Sequence, residues 1–197
     1  MPRKKSAMRA SEQFDEAADD VLAFAVAASE KFEAASSISW AHDYAVIRLY
    51  RAFETLMLDA LVAAINNDTS TISTRAGFAF PTHLTDEVCM YLVVGNGYFD
   101  FRGRDGLIKI LKQYVPEDHF LVVTVKKRRY KLAIEQLSGL RNFAAHDSDT
   151  SKRAALEAVG LERLASTGAW IKRQNRLDFL VNRLKELSAE IRAKAPY

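Results

Sequence analysis

A single cysteine, Cys89, in 197 residues excludes an internal disulfide and any cysteine-rich zinc site, and it fits a reducing compartment. Long apolar runs are also missing. The most apolar early stretch, "VLAFAVAAS" between Asp20 and Glu30, has nine residues, about half of what a membrane span needs. The opening "MPRKKSAMRASEQFDEAADD" is basic at first, but acidic residues follow where a signal peptide needs its apolar stretch. No export and no membrane are therefore expected, and the cytoplasm is the expected location. Charge of one sign is scarce too: 28 Lys and Arg face 25 Asp and Glu, a net +3, so any nucleic-acid site must be a local patch. His42, His83 and His119 fall on a helix, a loop and a post-proline segment without an i,i+4 pair, which argues against a metal site. "GNGYFDFRGRDG" matches neither the dinucleotide fingerprint nor the phosphate-binding loop, and no nucleophile elbow for a Ser-His-Asp hydrolase is present. No cofactor is expected, and there are no repeats.

What remains is a chain that is 49% hydrophobic, enough for one domain over 1–197, with residues 1–10 expected to be disordered. Helical periods dominate. Phe14, Ala17, Val21, Phe24 and Ala28 predict a helix from Ser11 to about Ser36. Val46, Leu49, Tyr50, Phe53, Leu56, Met57 and Leu61 predict a longer one, capped by Ser39 and ended by "NND". Residues 68–84 read as a loop, and "TDEVCMYLVV" as a short helix capped by Thr85 and stopped by "GNG". "LIKILKQYV" runs as a helix to Pro116, whereas the β-branched "HFLVVTV" suits a short strand or a buried helical piece equally. From Lys126 the pattern Tyr130, Ala133, Ile134, Leu137, Leu140, Ala144 is helical. Further helices follow around "SKRAALEAVG" and from Asn175, the last with Leu177, Leu180, Val181, Leu184, Leu187 and Ile191 on one face. These elements predict an all-α, up-down helical bundle with additional helices.

The 126–146 helix ends in "LRNFAAHDSD", which places Arg141, Asn142 and His146 within six residues. Glu135, Gly139, Asn142 and His146 form a polar stripe at steps of four, three and four, and the small Ser138 and Gly139 allow a second helix to approach closely. The bland explanation is that Arg and His at a helix C-terminus complement the macrodipole and the last carbonyls. "RNFAAH" also resembles the R-x4-H motif of the HEPN superfamily, and "LSGLRNFAAHD" is similar to the run-in of prokaryotic HEPN families of the RiboL-PSP type. "YRAFETLMLDAL" resembles their early helix, which often carries an aromatic and a Glu in this place. Asp147 departs from the Gly that many relatives carry after the His.

The resemblance implies a homodimer in which the two motif helices face each other around one composite cleft. It implies a metal-independent endoribonuclease of the kind used as a toxin, in phage defence or in RNA processing, with RNA as substrate and an antitoxin or defence-system protein as a further partner. The alternative is a catalytically silent HEPN module that binds RNA, a nucleotide or a protein. The residue types suit the chemistry. An imidazole titrates near neutrality, so His146 can move a proton; Arg141 can hold phosphate oxygens in a fork; Asn142 can orient the phosphate or the ring. Glu54 and Asp147 are supporting candidates, Glu54 through Arg141 or, more simply, paired with Arg51. The basic run Lys126, Lys127, Arg128 and Arg129 is a candidate RNA contact or a solvated helix turn. Arg102 and Arg104 beside Tyr98, Phe99 and Phe101 suit base stacking, or more simply a turn whose aromatics belong to the core.

Overall fold

The stripe of Phe14, Ala18, Val21 and Ala25 becomes the buried face of the first helix, α1 (Ala7–Lys31), in a computed structural model that describes residues 4–196. This helix starts inside the segment expected to be disordered at 1–10; residues 1–3 lie outside the described residues. Lys5 accounts for the early start, because its backbone N–H donates to Asp86 (2.7 Å) and its ammonium pairs with Asp59 (2.7 Å). A short break at 32–34 leads into α2 (Ala35–Asn67). Ser39, expected as its cap, lies one turn inside and donates to the Ala35 carbonyl (2.9 Å). Leu49, Phe53, Met57 and Leu61 are fully buried. Each such side chain contributes roughly 1.5–3 kcal/mol relative to exposure, more than the few tenths that separate their helix propensities, so packing sets the length of α2.

The 68–84 segment holds a two-turn helix, α3 (Ser70–Ala76), whose start is fixed by Asp68 accepting from the Ser70 N–H (2.8 Å). Seven residues are too few to display a period. Next, α4 (Asp86–Val94) is capped by Thr85 and stopped at Gly95, as the sequence predicts. Its Cys89 is buried, and burial followed by the nearby Asp86 pushes the thiol up to about 11. After α5 (Gly103–Tyr114), the ambiguous "HFLVVTV" forms the helix α6 (Phe120–Lys126). Strand preference spans only about 1 kcal/mol, whereas helix formation here buries Leu121, Val122 and Val125 completely, so burial wins.

The extended Lys127 separates α6 from α7 (Arg128–His146), the helix that carries the motif. Two shorter helices follow, α8 (Asp149–Val159), opened by a Ser148/Ser151 capping box, and α9 (Thr167–Ile171), which no period in the sequence announces. The chain closes with α10 (Arg176–Lys194). All ten elements among the described residues are helices, as expected. None is long and apolar enough to cross a membrane. The core lies where α2 and α7 pack on each other, with α1 and α10 closing one side.

Although short, α9 ties the N-terminal part of α2 to the C-terminal part of α7. Thr167 donates to the Leu140 carbonyl (2.9 Å), the Gly168 N–H donates to Asp43 (2.6 Å), and Lys172 donates to the Ala35 carbonyl (2.8 Å) and the Ser39 hydroxyl (2.9 Å). A Cβ on Gly168 would overlap the Ser39 carbonyl oxygen, which is backbone and cannot swing aside. Gly168→Ala should therefore cost on the order of 2–3 kcal/mol in urea unfolding. A variant as stable as the parent would mean that α9 does not dock at this spacing.

Candidate functional site

Beside Asp147 at the end of α7 lies Asp43, and beside Arg141 lies Tyr50, so α2 and α7 run antiparallel past each other. This pairing creates the site. The Arg141 guanidinium carbon sits 4.7 Å from the centre of the Tyr50 ring, and Nη1 donates to the Asn142 side-chain oxygen (2.8 Å). Stacking and one hydrogen bond hold the fork in place, while its other N–H groups have no acceptor among the described residues. Tyr50 is itself fixed. Its hydroxyl donates to the Phe101 carbonyl (3.2 Å), and its ring lies 5.5 Å from that of Phe101.

Glu54, one turn beyond Tyr50 on α2, completes the cluster. Burial is the main influence on its carboxyl and pushes it up to about 7, against the opposing pull of Arg141; Asp100 adds to the rise, while Arg51 and the Tyr50 hydroxyl oppose it. Burial and the neighbouring Glu54 also push the Tyr50 phenol above its ordinary range, so it remains a donor. Arg141 thus faces a carboxyl that is only partly ionised at neutral pH. Much of its positive charge stays available to an anion.

His146 and Asp147 are exposed at the end of α7. His146 lies five residues beyond Arg141, about 7.5 Å along the axis, and no hydrogen bond orients its ring among the described residues. Asp147 adopts the left-handed conformation (φ 40°) that ends the helix, a geometry in which Gly is the least strained residue. The remainder of the polar stripe serves the fold. Glu135 accepts from the Arg104 N–H (3.1 Å) and Ser138 from the Gly103 N–H (3.1 Å), so both cap α5. The close helix approach expected at Gly139 exists, but α8 of the same chain makes it: a Cβ at 139 would lie 2.9 Å from Ala158 Cβ and 3.1 Å from the Ala154 carbonyl oxygen.

The basic run stands at the opposite end of α7, with Arg128 about 20 Å along the axis from Arg141. Most of it is already paired. Glu190 binds Lys127, Arg129 (2.6 Å), Lys194 (2.7 Å) and the Tyr130 hydroxyl (2.9 Å), and Lys126 lies 3.7 Å from Glu117. Burial alone would raise the Glu190 carboxyl, but these hydrogen bonds outweigh it and hold the group well below the usual range. Phe99 and Phe101 are core residues, and Tyr98, 94% exposed, is not. The Arg104 side chain bonds Asp105 (3.2 Å) and the Lys126 carbonyl (3.3 Å). His42 bonds the Ile38 carbonyl (2.9 Å), His83 the Asn66 carbonyl (2.9 Å), and His119 caps α6. Among the described residues no three His, Cys, Asp or Glu are grouped so that they could hold a metal ion.

Two members of the cluster carried no signal of their own in the sequence. Tyr50 fits the apolar stripe of α2 and meets Arg141 only through the antiparallel pairing, while Asp100 sits in an aromatic turn and acts on Tyr50 and Glu54. Comparisons of the chain with protein-family models, with curated proteins and with solved structures find no match. The chemistry of the site has to be read from its geometry.

The raised Glu54 carboxyl makes stability depend on pH. The folded chain holds this proton more tightly than the unfolded chain, whose carboxyl has the ordinary value of 4.5. The stabilisation is complete below 4.5 and is lost as pH rises through about 7. Glu54→Gln, which mimics the protonated form, should match the parent near about pH 4 and be the more stable protein near about pH 8. Urea unfolding of both proteins across that range checks it, and a pH-independent difference would contradict the burial of Glu54.

Proposed function

We propose that the chain is a HEPN-type endoribonuclease that cleaves RNA through 2′-OH attack, without a metal ion, at Arg141, Asn142 and His146. The observation that carries this reading is the Arg141 fork, stacked on Tyr50, steadied by Asn142 and left with unused donors. Such a fork suits the oxygens of a phosphodiester and the added charge of a phosphorane. The 2′ oxygen attacks phosphorus, the bond to the 5′ oxygen breaks, one proton leaves the 2′-OH and another reaches the departing oxygen. His146 is the proton-transfer group. Glu54 is a supporting group whose carboxyl titrates near neutrality beside Arg141.

The two-chain cleft implied by the resemblance would form across the exposed end of α7, because α8 already fills the approach at Gly139. A partner chain there would also supply what the His146 ring lacks, a group to orient it. Lys126 to Arg129 would meet RNA only at a distance from the reaction, with Lys127 and Arg129 exchanging Glu190 for phosphate. The toxin or defence role, and a restraining protein partner, follow from the same resemblance. The second reading, a silent HEPN module binding RNA, a nucleotide or a protein, is favoured by the unoriented His146 ring.

Incubation of the purified chain with total RNA should give fragments ending in a 2′,3′-cyclic phosphate and a 5′-OH, with excess chelator making no difference. A 2′-methoxy group at the scissile nucleotide should block cleavage. His146→Ala should lower the rate roughly a hundredfold or more, and Arg141→Lys should also be damaging because a point charge does not replace the fork. Equal cleavage by the His146→Ala protein would overturn the site, and RNA left intact by the parent would favour the silent module.

A further inference from the structure

One long surface of α2 is used by neither the core nor the site. Trp40 is 70% exposed and Tyr44 52% exposed, and Arg48, Arg51 and Thr55 follow at helical spacing, all exposed. At about 100° per residue these five side chains fall within an arc of roughly 80°, and Trp40 to Arg51 spans about 16 Å along the axis. Glu54 lies just outside one border of the arc, so the stripe runs beside Arg141. Arg48, at its other border, and Arg51 line a groove against Gln13 and Ala17 of α1. Aromatic side chains on a surface helix usually turn inward; Tyr44 is instead held in place from the side by Phe24, edge to face at 5.6 Å.

The arginines set this stripe apart from the basic run on α7. Lys127 and Arg129 are neutralised by Glu190, whereas neither Arg48 nor Arg51 forms an ion pair or a side-chain hydrogen bond among the described residues. Arg51 feels the Glu54 carboxyl without a close ion pair to it, and cations with unused donors next to exposed flat rings are complementary to a ligand with negative charges and stacking faces at alternate positions. A single-stranded nucleic acid has that character, while a duplex hides its base faces.

We infer that the Trp40–Tyr44–Arg48–Arg51 stripe is a docking track for single-stranded RNA, with bases stacking on Trp40 and Tyr44 and phosphates on Arg48 and Arg51. It rests on the RNA reading given above and adds the route by which the strand reaches Arg141. Because the track binds without reacting, it can be tested apart from cleavage. The probe is a 2′-methoxy oligoribonucleotide on the order of ten nucleotides long, which 2′-OH attack cannot cut.

Titration into the full chain should quench tryptophan emission, and Trp40→Phe should abolish that quench while leaving the fold intact. Trp40→Ala should weaken binding roughly tenfold or more. Arg48→Gln combined with Arg51→Gln should weaken binding and lower the slope of log affinity against log salt by about 1.4, two phosphates at about 0.7 each. Lys109→Gln, which removes an exposed charge of α5 outside any proposed RNA contact, should leave the quench unchanged. Quenching and a reduced slope without any cleavage of unmodified RNA would uphold the track and remove the nuclease. Cleavage accompanied by unchanged emission and unchanged slope would leave the nuclease and remove the track. Absence of binding overturns it as well, and self-association in sedimentation that Trp40→Ala abolishes would assign the stripe to a second copy of the chain instead.

Discussion

Burial of α7 on several sides is the constraint from which the arrangement follows. A polar group enclosed by other helices costs about 1–3 kcal/mol when it lacks a partner, and several on α7 are matched to a neighbouring element. Tyr130 reaches Glu190 on α10, Glu135 and Ser138 hold the first N–H groups of α5, and the Leu140 carbonyl takes the Thr167 hydroxyl of α9. The side chains that order the fold, up to Leu140, and those that form the candidate site, from Arg141, therefore follow one another along one helix. Its first turn, with Arg128 and Arg129, and its last, at Ala145 and His146, are exposed. Chemistry on this helix is confined to the stretch where packing stops claiming its polar groups.

The same contrast separates two kinds of cation in the molecule. Around Glu190 several positive groups converge on a single carboxylate and join α7 to α10. Around Arg141 the nearest carboxyl is held back from ionisation by burial, and an aromatic ring stands beneath the guanidinium instead. An aromatic face orients a cation without consuming its hydrogen-bond donors, which a carboxylate would do. Charge density along the chain does not distinguish these environments.

That limit explains what could be read from the sequence. The long helices are legible because Leu49, Phe53 and Met57, or Leu180, Leu184 and Leu187, repeat over enough turns to show a period. Thr85 and Gly95 mark the ends of α4 through local chemistry alone. By contrast, α9 is five residues long, too few for any period, and it exists because Asp43 and Leu140 supply partners from distant parts of the chain. The motif residues Arg141, Asn142 and His146 stand out by type and spacing. Tyr50 does not, since a ring beneath a guanidinium and a ring in a core give the same letter at the same position. The basic run was visible as a cluster, but its partner Glu190 lies 61 residues from Arg129. Gly139 marked a close helix approach, expected from the motif helix of a second chain and made instead by α8 of the same chain.

Cys89 has a practical side. Its thiol, on the buried face of α4, is enclosed in the core and held in the protonated, unreactive form across the pH range in which labelling reagents are used. No other cysteine exists in the chain. A cysteine placed on an exposed helix surface would then be the single reactive thiol of an otherwise natural chain. A fluorophore or spin label could be attached there without removing anything, and opening of the core around α4 would announce itself as a second labelling event.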